Sequence, residues 1–138
     1  MFVLIHGSNH SSRCWEPLIP HLDAPALSID LPGRGGRPAP LDKVHLSDFI
    51  EFAVADIEAA DLRDAILVGH SMAGLSLPGI VDRVHNRLRH IAFVSCLVPP
   101  QGESMLSEMP EDLRELANRV GPDPAGARPG RKLSVQTM

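Results

Sequence analysis

Apolar residues fall into short unbroken blocks along this chain, separated by segments in which they recur every three or four positions. Phe2–Ile5, Ala26–Ile29, Ala65–Val68 and Ile91–Leu97 are the blocks. Each carries no charged residue and meets Gly, Asp or Pro within two positions of its far end. Runs of this kind predict strands buried on both faces, as in a parallel sheet. The intervening segments carry helical spacing. Trp15, Leu18, Ile19 and Leu22 share one face of a short helix over Trp15–Leu22. Ser47 or Asp48 can cap a second helix running to Ala60, with Ile50, Val54 and Ile57 in step. Met72 to about Asn86 predicts a third, weakened by Gly74, Pro78 and Gly79. A proline there removes a backbone donor, so it predicts a kink or a late start to the regular part. Ser107–Val120 predicts a last helix, with Leu113, Leu116 and Val120 on one side. Residues 37–45 read as a loop.

Strands alternating with helices predict an α/β fold. It would hold a parallel sheet of about four strands with right-handed crossovers and helices on both faces. Residues 1–120 would form this unit. The Gly-, Pro- and Ala-rich segment 121–138 buries too little to offset its ordering entropy and reads as a disordered tail.

Composition narrows the function classes. With 138 residues and a formal net charge of −4, the chain suits one small domain. It offers no basic surface for nucleic acid and no polybasic membrane patch. Its longest apolar runs fall far short of the ~20 residues that span a bilayer. The start, MFVLIHGSNH, lacks the basic region and the length of a secretory signal. Cys14 and Cys96 fit no metal spacing and read as two reduced, buried thiols of a cytoplasmic protein. The seven histidines form none of the spacings of a metal site, so no metal or organic cofactor is expected. Gly33-Arg34-Gly35-Gly36 lacks the dinucleotide spacing, and there is no P-loop lysine.

The chemistry concentrates at AILVGHSMAG, residues 65–74. A serine hydroxyl becomes a nucleophile only with a base in reach and donors aimed at the oxyanion it creates. A sharp strand-to-helix turn at Ser71 would expose its hydroxyl at the carboxyl edge of the sheet and set the Met72 N–H at a helix start. Such a turn needs small residues two positions either side, which Gly69 and Ala73 are. The form is G-x-S-x-A followed by Gly74. By itself the pentapeptide is equally a serine capping an ordinary helix. Its context adds weight. A strand precedes it, a helix follows, and the first strand ends in His6-Gly7-Ser8, a turn able to aim the Ser8 N–H at the same point.

Four stretches together resemble the α/β-hydrolase family: LIHGSNHSSRCW (Leu4–Trp15), IDLPGRG (Ile29–Gly35), VGHSMAG (Val68–Gly74) and the strand segment IAFVSCLVPP. The H-G-x-x-H…W arrangement is most similar to its small-esterase and hydroxynitrile-lyase branch. That resemblance covers about residues 2–110. It implies strand order 2-1-3-4, Ser71 as nucleophile, and the N–H groups of Ser8 and Met72 as oxyanion hole. It further implies a small-molecule carboxylic ester as substrate and a lid beginning near Met105. Nothing in these motifs separates an esterase from a hydroxynitrile lyase. Dehalogenase and epoxide-hydrolase chemistry is disfavoured, because those branches place aspartate at the position of Ser71.

The supporting residues have simpler readings. His6 packs at the strand end and fixes the turn. His10 either lines the pocket or sits in a surface loop. His70 and Gly74 belong to the architecture of the turn, Asp30 satisfies loop N–H groups, and Trp15 is core. The base is the difficulty. In this fold the chain order is Ser, acid, His, and only His85 and His90 follow Ser71. His85 is fourteen positions on, ~21 Å along a helix at ~1.5 Å per residue, and His90 precedes the fourth strand at the opposite sheet edge. Glu103 is the one candidate acid. The expectation is therefore the front half of a serine hydrolase, truncated before its catalytic acid and histidine. Its fourth strand would be an open apolar edge, a hazard for self-association. The competing expectation is a non-catalytic remnant or binding module that pairs through that edge.

Overall fold

The computed structural model describes residues 1–100, 102–104, 106 and 109–120. The expected tail, 121–138, and Met105, the expected start of the lid, lie outside them. The chain divides into two units, Met1–Glu108 and Met109 onward. The first holds a four-stranded, wholly parallel sheet in the order β2-β1-β3-β4. Its strands are β1 (Phe2–Ile5), β2 (Ala26–Ile29), β3 (Ala65–His70) and β4 (Leu88–Val94). α1 (Leu46–Ala59) joins β2 to β3, and α2 (Leu77–Val84) joins β3 to β4. The second unit contains α3 (Glu111–Val120), which starts directly after Pro110 rather than at Ser107, with Leu113 half exposed.

Strand order and handedness together decide what covers each face. The step from β1 to β2 runs one way across the sheet, and the next two steps run the other. Right-handed crossovers then put the β1–β2 connection on one face and both α1 and α2 on the opposite face. The buried clusters follow this split. Val3, Ile5, Ile29 and Leu67 pack with Ala53, Val54 and Ile57 of α1 and with Leu77, Ile80 and Val84 of α2. Leu4 and Val68 point the other way, onto Trp15, with Ile19 and Leu22 at the margin. Each such aliphatic side chain, fully buried, stabilises by roughly 1.5–3 kcal/mol before entropy is counted.

Several boundaries differ from the sequence pattern, each for a local reason. Trp15–Leu22 is not one helix but two 3₁₀ turns, Ser12–Trp15 and Ile19–His21. Pro17 and Pro20 remove the N–H groups that a continuous α-helix would need. α1 begins two or three residues earlier than Ser47 or Asp48 would set it. His45 precedes it, and Asp48 works from inside the first turn, its carboxylate accepting the His45 N–H at 2.8 Å. The helix after Ser71 is broken as Pro78 predicts. A 3₁₀ turn, Ser71–Leu75, comes first, and regular α2 starts with Pro78 at its second position, where no N–H is missed.

β4 is displaced by three residues toward the N-terminus of the expected span. It ends at Val94 because Ser95 turns the chain with φ +47°. His90 therefore lies within the strand, opposite Ile66, rather than before it. Among the described residues no strand pairs with the outer edge of β4, where Phe93 is 49% and Val94 43% exposed. No described helix is long and apolar enough to cross a membrane.

Candidate active site

The order in which strands are added reverses at β1, which lies between β2 and β3. The carboxyl ends of β1 and β3 therefore splay their loops apart, and open α/β sheets place their ligands in such a crevice. Register brings the two loops level. Ile5 pairs with Gly69, so Gly7-Ser8 and Ser71 leave the sheet side by side. A methyl group on Gly7 would stand 3.1 Å from Ser71 Cβ and 3.0 Å from His70 Nδ1. The two turns touch, and a side chain on Gly7 would have to push them apart by a few tenths of an ångström.

Ser71 has φ +54°, a left-handed conformation that costs a non-glycine residue roughly 1–2 kcal/mol. Its surroundings hold it there. Gly69 allows the tight return, since a Cβ on it would come within 3.0 Å of Ala73 Cβ and 2.6 Å of Leu77. Gly74 is buried beneath the 95–98 segment. Ala73 and Ser76 are buried, and the Ser76 hydroxyl donates to the Ala73 carbonyl at 3.1 Å. The Ser71→Gly variant should therefore be more stable than the wild type. Relief of about 1–2 kcal/mol of strain is offset in part by the ~0.5–1 kcal/mol of extra chain entropy of glycine. A gain of about 0.5–1 kcal/mol in urea unfolding is expected; a loss would show that Ser71 is not strained.

His6 is fully buried, and both ring nitrogens are occupied. The Leu31 N–H donates to Nε2 at 3.1 Å, so Nε2 is the unprotonated nitrogen. Nδ1–H then donates to the Gly7 carbonyl at 2.7 Å. Burial pulls the pKa of this imidazole below its ordinary value, against the opposing pull of the Gly7 carbonyl and Asp30. The neutral ring ties the end of β1 to the end of β2. It also orients a peptide. In a trans unit C=O and N–H point in opposite directions, so fixing the Gly7 carbonyl toward His6 turns the Ser8 N–H away from it.

Asp30 has the structural role its position suggests. Its carboxylate accepts the Ser12 N–H at 2.6 Å and the Gly36 N–H at 2.8 Å. Burial works to raise its pKa, but these donors outweigh it and hold the carboxyl below its ordinary range. His70 stands between Trp15 and His10, its ring edge-on to Trp15 at 6.4 Å and 5.8 Å from that of His10. His10, Cys14, Trp15, His70 and Val94 line a cleft of about 250 Å³, so His10 stands on a pocket wall. A larger groove, about 480 Å³, runs along Leu88–Ile91 and Val81 on the outer side of β4, away from Ser71.

Other candidates stand apart from this centre. His85 lies beyond the end of α2. Glu103 is exposed in a turn, its N–H on the Pro100 carbonyl. Cys14 is exposed rather than buried, and both thiols are free. Burial raises the pKa of Cys96, whose S–H donates to the Gly69 carbonyl at 3.2 Å. Two participants carried no signal of their own in the sequence. One is Cys96. The other is Arg34, whose Nε–H donates to the Ser8 carbonyl at 2.7 Å.

Comparison with known proteins agrees with this architecture. The family profile described as "Alpha/beta hydrolase family" matches residues 2–136, and the chain belongs to that family. It is 32% identical over 116 residues to the "Carbendazim hydrolyzing esterase" of Nocardioides sp. (strain SG-4G), a match covering 81% of this chain and 48% of the relative. To the "Probable esterase PIR7A" of Oryza sativa subsp. indica it is 30% identical over 127 residues, covering 88% and 47%. Among solved structures, it superposes with a TM-score of 0.76 and 26% identity on an extracellular α/β-hydrolase from a Paenibacillus species, covering 86% of this chain and 49% of that one. The chain thus spans about half the length of the curated relatives it matches.

Proposed function

We propose that these residues form the nucleophile and oxyanion side of a serine esterase. The observation that carries this reading is the strained Ser71, set where β3 turns into a helical segment and packed against the Gly7-Ser8 turn. In the proposed step the Ser71 Oγ attacks the carbonyl carbon of a small carboxylic ester. Its proton passes to a general base, and the carbonyl oxygen gathers negative charge between the N–H groups of Ser8 and Met72. Collapse of the tetrahedral species expels the alcohol, which takes up that proton, and leaves an acyl-serine for water to cleave. Gly69, Ala73 and Gly74 shape the turn, Gly7 lets the two turns meet, and His6 orients the Ser8 amide. The esterase names of two relatives support the substrate class.

The base is not identified among the described residues. His90 pairs with Ile66, five positions before Ser71 along β3, which is ~16 Å at ~3.3 Å per residue. His85 is farther along the chain, past the end of α2. Without a positioned base the hydroxyl should react slowly, at least about 10³-fold below a complete triad. Prolonged exposure of the full chain to excess fluorophosphonate should still modify Ser71, mapped by peptide mass spectrometry, and Ser71→Ala should remove that modification. Label spread evenly over surface serines, or unchanged in Ser71→Ala, would overturn the reading.

A further inference from the structure

We infer that Arg34 is a positioning residue for the oxyanion donor at Ser8, an inference that rests on the acyl-transfer reading of Ser71. Ser8 lies between two peptide planes. The carbonyl of the first, Gly7, is held by His6 Nδ1–H at 2.7 Å. The carbonyl of the second, Ser8 itself, is held by Arg34 Nε–H at 2.7 Å. Fixing only the first plane leaves the turn hinged at Ser8. The backbone closure of the turn, His10 N–H to the Gly7 carbonyl, is long at 3.4 Å. The Ser8 N–H lies in the first plane, and fixing the second keeps that plane from rocking about the Ser8 Cα.

Arg34 suits this task because its own backbone is locked. Its N–H donates to the Leu31 carbonyl at 3.0 Å, and its carbonyl accepts the Arg37 N–H at 2.9 Å. Gly33, at φ +78°, gives its N–H to the Arg37 carbonyl at 2.8 Å. Arg37 fastens the loop to α1 through a two-pronged bond to Asp56, at 2.6 and 2.8 Å. From the same loop, Asp30 holds the far end of the 7–12 segment through the Ser12 N–H. The β2–α1 loop is thus a rigid bracket, and Arg34 is its contact with the carbonyl of Ser8. Because guanidinium stays charged throughout the accessible pH range, this hold does not vary with pH. Protonation of His6 would likewise leave its Nδ1–H on the Gly7 carbonyl, and would cost it the Leu31 N–H instead.

The test uses the isotopically labelled full chain. In the wild type, a through-hydrogen-bond correlation between Arg34 Nε and the Ser8 carbonyl carbon is expected; its absence overturns the inference without any variant. Arg34→Met should broaden or double the Ser8 and Asn9 amide signals at pH 8 and pH 6 alike, with the melting temperature within about 3 °C of wild type. Arg34→Lys, which keeps the charge but not the planar donor, should restore them in part. Sharp, unmoved Ser8 and Asn9 amides in Arg34→Met overturn the inference. Phosphonylation of Ser71 then separates the two levels. In the wild-type adduct the Ser8 and Met72 amides should both shift, and in the Arg34→Met adduct only that of Met72. If Ser8 fails to respond in the wild type, the acyl-transfer reading falls and takes the inference with it. An equal response in both proteins overturns the inference alone.

Discussion

The His6→Ala variant is expected to lose about 3–5 kcal/mol of stability, a large share of the ~5–15 kcal/mol typical of a domain. Two costs combine. Removing a fully buried ring leaves a cavity in the interior. It also strips the Leu31 N–H of its partner and leaves the Gly7 carbonyl only the long bond from the His10 N–H, at about 1–3 kcal/mol for a buried group left unpaired. His6→Phe separates the two costs, since it keeps the ring and loses only the hydrogen bonds. It should retain less than half of the lost stability. Urea unfolding of the three proteins measures both, and a loss under 1 kcal/mol in His6→Ala would show that the ring is not a structural tie.

The same residue sets a pH dependence. The unfolded imidazole protonates near its ordinary value of 6.5, and the folded one only below that, because burial disfavours the charged ring. Above about pH 6.5 both states are neutral and stability is unaffected by this group. As pH falls below 6.5 the unfolded chain takes up the proton more readily, so stability declines until the native ring itself protonates. Asp30 adds in the same direction at lower pH. Its folded pKa is depressed, so its contribution is present above the unfolded value near 3.8 and is lost as pH falls through the folded one. His6→Phe should abolish the first of these declines and leave the second.

What the sequence reveals depends on how local the responsible physics is. β1 and β2 match their apolar runs residue for residue: β1 is largely buried, and β2, though half-buried at the other edge, carries no charge. β4 departs from that pattern at its start. Arg89 and His90 are exposed there, and a strand containing them does not read as one. The demands around Ser71 are legible for a steric reason: Gly69 and Ala73 meet each other across the turn, four positions apart. Asp30 is legible as a loop acceptor, since a carboxylate closing a strand next to glycines has N–H groups nearby. The bond from Arg34 to Ser8 spans 26 positions and that from Cys96 to Gly69 spans 27. Such pairings exist only once strand order and loop paths are set, and no spacing rule carries them. Over Trp15–Leu22 the spacing of Trp15, Leu18, Ile19 and Leu22 predicts one helix, where the structure has two 3₁₀ turns, with Pro17 between them and Pro20 within the second.

Gly74→Ala sets two effects of opposite sign against each other, and their magnitudes decide the outcome. Propensity favours alanine in a helical segment by about 0.5–1 kcal/mol. Packing opposes it. The added methyl would stand 2.3 Å from the Leu97 carbonyl oxygen and 3.0 Å from Cys96 Cβ. The first obstacle is backbone, so the 95–98 segment must lift, and the Cys96 bond to the Gly69 carbonyl is strained with it. Overpacking of this kind costs typically 1–3 kcal/mol, more where backbone must move. A net loss of about 1–3 kcal/mol is expected, together with slower fluorophosphonate modification of Ser71, because the displaced segment packs against the turn that holds Ser71. Gly79→Ala is the matched control. Its methyl would meet only the end of the Ile50 side chain, at 2.4 Å from Cδ1, and a rotamer change can clear that. Its stability should stay within about 1 kcal/mol of wild type, with propensity offsetting the repacking. Equal losses in the two variants would mean that helix packing in general, and not the contact beneath Ser71, responds to the added methyl.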